Sequence, residues 1–119
     1  MMCQSETVNR IVKILDNKKA KDIVVLDVRE LTTLSDYFIL ATGGSARQVQ
    51  ALSDHVEEEL QKAGTFPVNK EGYRTGEWVL IGYDEAIVHI FQQEQRDFYQ
   101  LERIWKDAPI VETDLEQED

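Results

Sequence analysis

The chain of 119 residues is poor in cysteine, proline and glycine, with one, two and six of them respectively. Cys3 alone excludes an intrachain disulfide, and without a second thiolate it also excludes a structural zinc site of the usual thiolate kind. No hydrophobic run reaches membrane length, and the opening MMCQSETVNR has neither a signal-peptide core nor an arginine-rich presequence. With 42% apolar residues, we expect one globular cytoplasmic domain without a membrane segment.

Basic residues are scarce beside acidic ones, at 13 against 23, which gives a net charge of −10. Residues 112–119 (ETDLEQED) hold five of the acids and no base, so the rest of the chain has a charge of −5. We predict a single domain over residues 1–110 and a disordered acidic tail over 111–119. Because nucleic-acid binding needs Lys and Arg to neutralise phosphates, this charge disfavours direct nucleic-acid binding and favours a basic protein partner.

Apolar residues recur at helical spacing in some segments and form continuous runs in others. The first two helical stripes are Val8, Ile11, Val12 and Leu15, and then Val49, Leu52, Val56 and Leu60 before Gly64. Strands are predicted at 23–28, 36–42, 78–83 and 86–91, with an extended link at Pro67 that could form an edge strand. The order αββαββα predicts an α/β class fold, a compact sandwich around a mixed sheet. We expect a right-handed crossover from the second strand through the second helix to the following strand.

The stretch GGSARQVQALSDHVE, residues 43–57, has two interpretations. One is a degenerate nucleotidyltransferase-like enzyme using Ser45 and Asp54, with the glycines cradling phosphate. Such enzymes carry their magnesium-binding acids on a strand after this helix, and the strands at 78–83 and 86–91 contain none. The other is structural: Gly43 and Gly44 leave the strand with unusual dihedrals, and Ser45 caps the helix. We favour the cap and expect no catalytic residue, cofactor or metal.

The two strands around residues 84–85 form a predicted hairpin. A two-residue turn pairs Tyr83 with Ala86 and Trp78 with Phe91. One face then carries Val79, Ile81, Tyr83, Ala86, Val88 and Ile90, and the other carries Trp78, Leu80, Gly82, Ile87, His89 and Phe91. The first face is typical of a core. The second gathers the residue types that serve as interface anchors.

For two residues of the second face, the sequence does not decide between a buried core position and a place in an interface. His89 fits a buried position on a sheet covered on both faces or a place in an interface, and no nucleophile or metal ligand accompanies it. Trp78 fits core packing or an exposed anchor. His55 lies beside the apolar stripe of its helix and is interpreted as solvated.

The segment RDFYQLERIW, residues 96–105, predicts a last helix with Phe98, Leu101 and Trp105 facing the core. Its other side carries Arg96, Tyr99, Glu102, Arg103 and Lys106. That side fits either a solvated charged face or the rim of a protein interface beside the hairpin.

Several ordered blocks also carry a resemblance to a known family. These are IVVLDV followed by SDYFILATGGSARQVQALSDHVEEEL, then EGYRTGEWVLI, then IVHIF followed by RDFYQLERIW. Together, over about residues 6–109, they resemble the ribosomal silencing factor family, also called RsfS or Iojap-like. The resemblance implies a nucleotidyltransferase-like α/β domain that lacks the catalytic acids, and a protein that is not an enzyme.

The same resemblance implies a partner and a mode of action. Family members bind the large ribosomal subunit through ribosomal protein uL-fourteen and thereby block joining of the small subunit, which represses translation. They are often homodimers when free. Where the motifs match, the implied partner-binding candidates are Trp78, Leu80, His89, Phe91, Arg96 and Tyr99.

Overall fold

The computed structural model describes residues 5–111 of the chain. Its elements in chain order are α1 (Glu6–Asn17), β1 (Lys21–Asp27), β2 (Tyr37–Gly43), α2 (Ala46–Lys62), β3 (Asn69–Glu71), β4 (Trp78–Gly82), β5 (Ala86–Gln92), α3 (Gln93–Tyr99) and α4 (Leu101–Ile104). Among the described residues, no helix has the length and apolar content needed to cross a membrane.

The strands form one mixed five-stranded sheet in the order β1-β2-β5-β4-β3. The central pair β2 and β5 is parallel, and the other pairs are antiparallel. Every residue of β2 is buried, as a continuous apolar run in a doubly covered strand requires. The α/β class and the mixed sheet are thus confirmed, and β3, just after Pro67, forms the edge strand that the sequence left open. The chain leaving β2 passes through α2 to β3, and β5 and β4 lie between those two strands.

Helices α1 and α2 cover the first face of the sheet. Both predicted stripes are buried, because each helix turns its apolar side onto the strands. The first-face residues of the hairpin that join them are Val79, Ile81, Tyr83, Ala86, Val88 and Ile90. The predicted inner face of the hairpin is therefore confirmed.

The hairpin has the predicted register. The Tyr83 N–H donates to the Ala86 carbonyl oxygen at 2.8 Å across the two-residue turn, and Trp78 is the strand partner of Phe91. Because side chains alternate along a strand, this register sends Trp78, His89 and Phe91 to the second face together. At the end of α2, Gly64 has the left-handed φ of +84° that follows many helices, as predicted for its stop.

The prediction of one continuous last helix is wrong. Gln100 has a left-handed φ of 48°, which ends α3 and begins α4 in a new direction. Phe98 is consequently 78% exposed instead of facing the core. Leu101 and Trp105 are half-buried against the second face of the sheet, as predicted for them.

The segment after α4 returns to the outer edge of β1. The Asp27 N–H donates to the Pro109 carbonyl oxygen at 2.9 Å, and Ile110 forms an antiparallel bridge with Leu26. Val111 donates its N–H to the Val25 carbonyl oxygen at 2.8 Å. This contact ends the described residues, and 112–119 of the predicted acidic tail lie outside them.

Candidate protein interface

The second face of the sheet is covered over only part of its width. Trp105 and Ala108 pack over β1 and β2 with Leu26, Phe38 and Leu40. No described helix covers β4 in the same way, and Leu80 is half-buried there. The result is a partly open apolar area beside the α3–α4 corner.

We call this area the aromatic patch and define it as Trp78, Leu80, Ile87, Phe98 and Tyr99. Trp78, Leu80 and Ile87 are half-buried on β4 and β5, while Tyr99 is 44% and Phe98 78% exposed at the end of α3. The ring centroids of Trp78 and Tyr99 lie 4.8 Å apart, and those of Tyr99 and Phe98 lie 5.0 Å apart. The patch is continuous from the sheet to the helix, with the aromatic character of an interface anchor.

Trp78 is held from beneath by two buried residues. Its indole stacks on Phe91 with ring centroids 4.8 Å apart and planes inclined by 24°. Its Nε1–H donates to Nδ1 of His89 at 3.1 Å. His89 is 5% and Phe91 1% exposed, so these two candidates support the patch and do not form its surface.

The environment of His89 is apolar. Phe38 meets its ring edge-on at 5.2 Å, and Phe91 is stacked beside it at 6.0 Å. Burial lowers the pKa of His89 to about 4, so the ring is neutral at pH 7. Since Nδ1 accepts the indole hydrogen, the proton of the neutral ring lies on Nε2, which has no hydrogen-bond partner among the described residues.

Arg96 is also buried, with 7% of its surface exposed. It is therefore neither a solvated charge nor part of an exposed interface rim, the two interpretations that the sequence allowed. Its Nη1 donates to the Asp22 carbonyl oxygen at 2.5 Å and to the Thr42 hydroxyl at 2.8 Å. Its Nη2 donates to Glu102 Oε2 at 2.8 Å. One guanidinium therefore ties β1, β2 and α4 to α3 and fixes the corner from which Tyr99 extends.

Two acidic side chains lie beside the aromatic patch, one on β3 and one just before β4. Glu71 is the strand partner of Leu80 and is exposed. Glu77, next to Trp78, is exposed and accepts a hydrogen bond from Gln95 Nε2 at 3.2 Å. With the net negative charge of the chain, this rim matches a basic protein surface better than a nucleic acid.

The residues of the GGS stretch serve the fold. Ser45 Oγ accepts from the Gln48 N–H at 3.1 Å, which confirms the predicted N-cap. The Gln48 side-chain oxygen in turn accepts from the Gly44 N–H, so this amide is already paired. Asp54 accepts from the Tyr73 hydroxyl at 2.9 Å and thereby holds the loop between β3 and β4 against α2.

The unusual dihedrals predicted for Gly43 and Gly44 are absent, and Gly43 is required for a different reason. Neither Gly43 nor Gly44 has a positive φ. A Cβ on Gly43 would lie 2.9 Å from Val49 Cγ2 and 3.2 Å from the Val49 nitrogen, so Gly43 permits the close approach of α2 to the sheet. Within residues 5–111, no group of three or more His, Cys, Asp or Glu side chains could hold a metal ion.

Of the predicted interface residues, Trp78, Leu80 and Tyr99 lie in the aromatic patch, and His89, Phe91 and Arg96 lie beneath or beside it. Ile87 and Phe98 also lie in the patch but were not among the predicted interface residues. The alternation of the hairpin already placed Ile87 on the second face and could have identified it. No sequence pattern indicates that Phe98 is exposed, because its exposure depends on the break in the helix at Gln100.

Comparison with known proteins identifies the family of this chain. A family model described as "Ribosomal silencing factor during starvation" matches residues 3–119. Ribosomal silencing factor RsfS of Halalkalibacterium halodurans is 35% identical over 111 residues, which cover 93% of this chain and 95% of the relative. A crystal structure of a Chromobacterium violaceum protein superposes with a TM-score of 0.84 at 39% identity and covers 88% of each chain.

A more distant relative has a name that specifies one ribosomal subunit. The mouse protein called "Mitochondrial assembly of ribosomal large subunit protein 1" is 27% identical over 101 residues, which cover 82% of this chain and 44% of the mouse protein. The match of the family model over nearly the whole chain, together with the bacterial relative, shows that the chain belongs to the ribosomal silencing factor (RsfS, Iojap-like) family.

Proposed function

We propose that this protein is a cytoplasmic translation repressor that binds the large ribosomal subunit through the basic ribosomal protein uL-fourteen. The bound domain occupies the space that the small subunit needs and blocks joining sterically. No bond is made or broken in this mechanism. The observation that carries the proposal is the aromatic patch, in which exposed Tyr99 and Phe98 continue the half-buried Trp78 beside an acidic rim.

The size and chemistry of the domain support this mode of binding. A stable protein interface hides about 800 Å² on each partner, which one side of a 13.8 kDa domain can supply. Aromatic side chains held by packing lose little entropy on binding and serve as anchors. The acidic rim at Glu71 and Glu77 favours encounter with a basic protein, and this attraction weakens as salt is added.

Co-sedimentation with purified large subunits tests the proposal. Trp78→Ala and Phe98→Ala each remove an aromatic anchor from the patch and should each weaken the free energy of binding by roughly 2 kcal/mol. Phe66→Ala is the matched control, because Phe66 is 61% exposed but lies outside the patch. A subunit-joining assay with the same variants should show blocking by wild type and Phe66→Ala only. Unchanged binding by both patch variants would remove the patch from the proposal.

The free protein should form homodimers, and the aromatic patch is a surface on which a second copy and the ribosome could compete. Sedimentation velocity of the free protein, repeated with large subunits added, separates self-association from ribosome binding. A dimer that persists unchanged on the subunit would show that dimerisation uses a different surface.

A further inference from the structure

The orientation of Trp78 depends on a side chain that cannot itself touch a partner. Stacking on Phe91 and the tilted contact with Tyr99 hold the plane of the indole, but stacking does not distinguish between the two ring orientations related by a half-turn about the Cβ–Cγ bond. The hydrogen bond from Nε1 to His89 Nδ1, at 3.1 Å, is directional and fixes this remaining freedom.

We propose that His89 is a positioning residue of the aromatic patch: its Nδ1 holds Trp78 in the one of these two ring orientations that the partner binds. The proposal rests on the proposed function, because it concerns the same surface. It assigns to His89 no contact with the ribosome, which its 5% exposure excludes in this conformation.

His89 lowers the stability of the fold, and this supports a role for it in binding. Its Nε2–H is buried without a hydrogen-bond partner among the described residues, and an orphaned buried donor is destabilising. Phe38 and Phe91 surround the ring, and an aliphatic side chain could pack against them without leaving a donor unpaired. A histidine offers one thing that an aliphatic residue lacks here, an acceptor beneath the indole of Trp78.

Substitutions at position 89 distinguish the effect of the hydrogen-bond acceptor from the effect of side-chain volume. His89→Leu keeps apolar bulk and removes the acceptor, whereas His89→Asn places its side-chain oxygen close to the position of Nδ1. Each is measured in the full chain for affinity to large subunits, and the indole N–H resonance of Trp78 is followed by NMR. The resonance of Trp105 serves as the internal control, because Trp105 contacts Phe38 and makes no side-chain bond to His89.

We expect His89→Leu to weaken binding roughly tenfold, the loss typical of a moderately important interface residue, and to move the Trp78 N–H resonance while that of Trp105 stays. His89→Asn should restore most of the affinity and a hydrogen-bonded Trp78 resonance. In a Trp78→Phe background, which has no N–H, His89→Leu should cause no further loss.

Wild-type affinity in a folded His89→Leu variant would overturn the positioning role, as would an equal loss in the Trp78→Phe background. Should the leucine variant unfold, His89→Gln makes the same comparison with His89→Asn, because its oxygen lies near the Nε2 position. Failure of wild-type protein to bind large subunits would instead overturn the proposed function, so the two failures are distinguishable.

Discussion

The rings of Trp78 and Tyr99 lie 4.8 Å apart and are inclined by 49°, which joins strand β4 to the end of helix α3. No backbone hydrogen bond links these two segments at this point, so the contact rests on side chains. It is the place where the aromatic patch passes from the sheet onto the helix.

The first prediction concerns the energy of this contact. A double-mutant cycle with Trp78→Leu and Tyr99→Leu should give a coupling of about 0.5–1.5 kcal/mol in the free energy of unfolding, the range measured for aromatic pairs. Urea denaturation followed by circular dichroism measures it. Pairing Trp78→Leu with Phe66→Leu is the control, and strict additivity in both cycles would mean that the Trp78–Tyr99 contact contributes no stability.

The second prediction is a pH dependence of stability caused by His89. Its pKa is about 4 in the folded protein and about 6.5 in the unfolded chain, so between these values the unfolded state binds the extra proton. The free energy of unfolding should therefore fall as the pH decreases from about 6.5 to about 4, by roughly 3 kcal/mol for a shift of this size, and be unaffected by this group above pH 6.5.

Urea denaturation at a series of pH values measures this slope. Carboxylates also titrate near the lower end of the range, so the slope is compared with that of His89→Leu, which keeps every carboxylate and His55. Below pH 6.5 the free energy of unfolding of wild type should fall more steeply than that of His89→Leu. Parallel curves would contradict the assignment of a depressed pKa to His89.

The parts of the fold that the sequence predicted rest on local signals. The stripe from Val49 to Leu60 follows helical spacing, Ser45 is a common N-cap residue, and the short turn at 84–85 leaves few registers for the hairpin. Each of these signals lies within a few residues of the structure it determines, and each prediction is confirmed.

The errors arise where distant segments meet. Arg96 is buried because it donates to the carbonyl oxygen of Asp22 and the hydroxyl of Thr42. Both acceptors are far from position 96 in the sequence, so the residues around Arg96 do not predict them. Gln100 adopts a left-handed conformation that glycine or asparagine would have signalled better. With the helix continuous in the prediction, Phe98 was assigned to the core.

The third prediction concerns Arg96. Arg96→Met keeps much of the length but removes three hydrogen bonds, leaving the Thr42 and Asp22 oxygens without this donor, and should lower the free energy of unfolding by roughly 2–4 kcal/mol. Glu102→Gln should cost about 1 kcal/mol or less, because Glu102 is 41% exposed and water can replace part of the lost contact. Denaturant titration of both variants checks the order, and an equal loss in both would mean that the ion pair, not the buried contacts, is what Arg96 contributes.

The last prediction compares two adjacent glycines at the entry to α2. An alanine Cβ at position 43 would lie 2.9 Å from Val49 Cγ2 and 3.2 Å from the Val49 backbone nitrogen, so α2 would have to move from the sheet. An alanine at position 44 would meet only the flexible end of Gln48, at 3.1 Å. Overpacking of this kind costs about 1–3 kcal/mol, so Gly43→Ala should destabilise the domain by that amount and Gly44→Ala by much less. Thermal unfolding of the two variants measures the difference. Neither glycine has a positive φ, so backbone freedom is not expected to determine the need for glycine here. A larger loss in Gly44→Ala than in Gly43→Ala would contradict the role given to the close approach of α2.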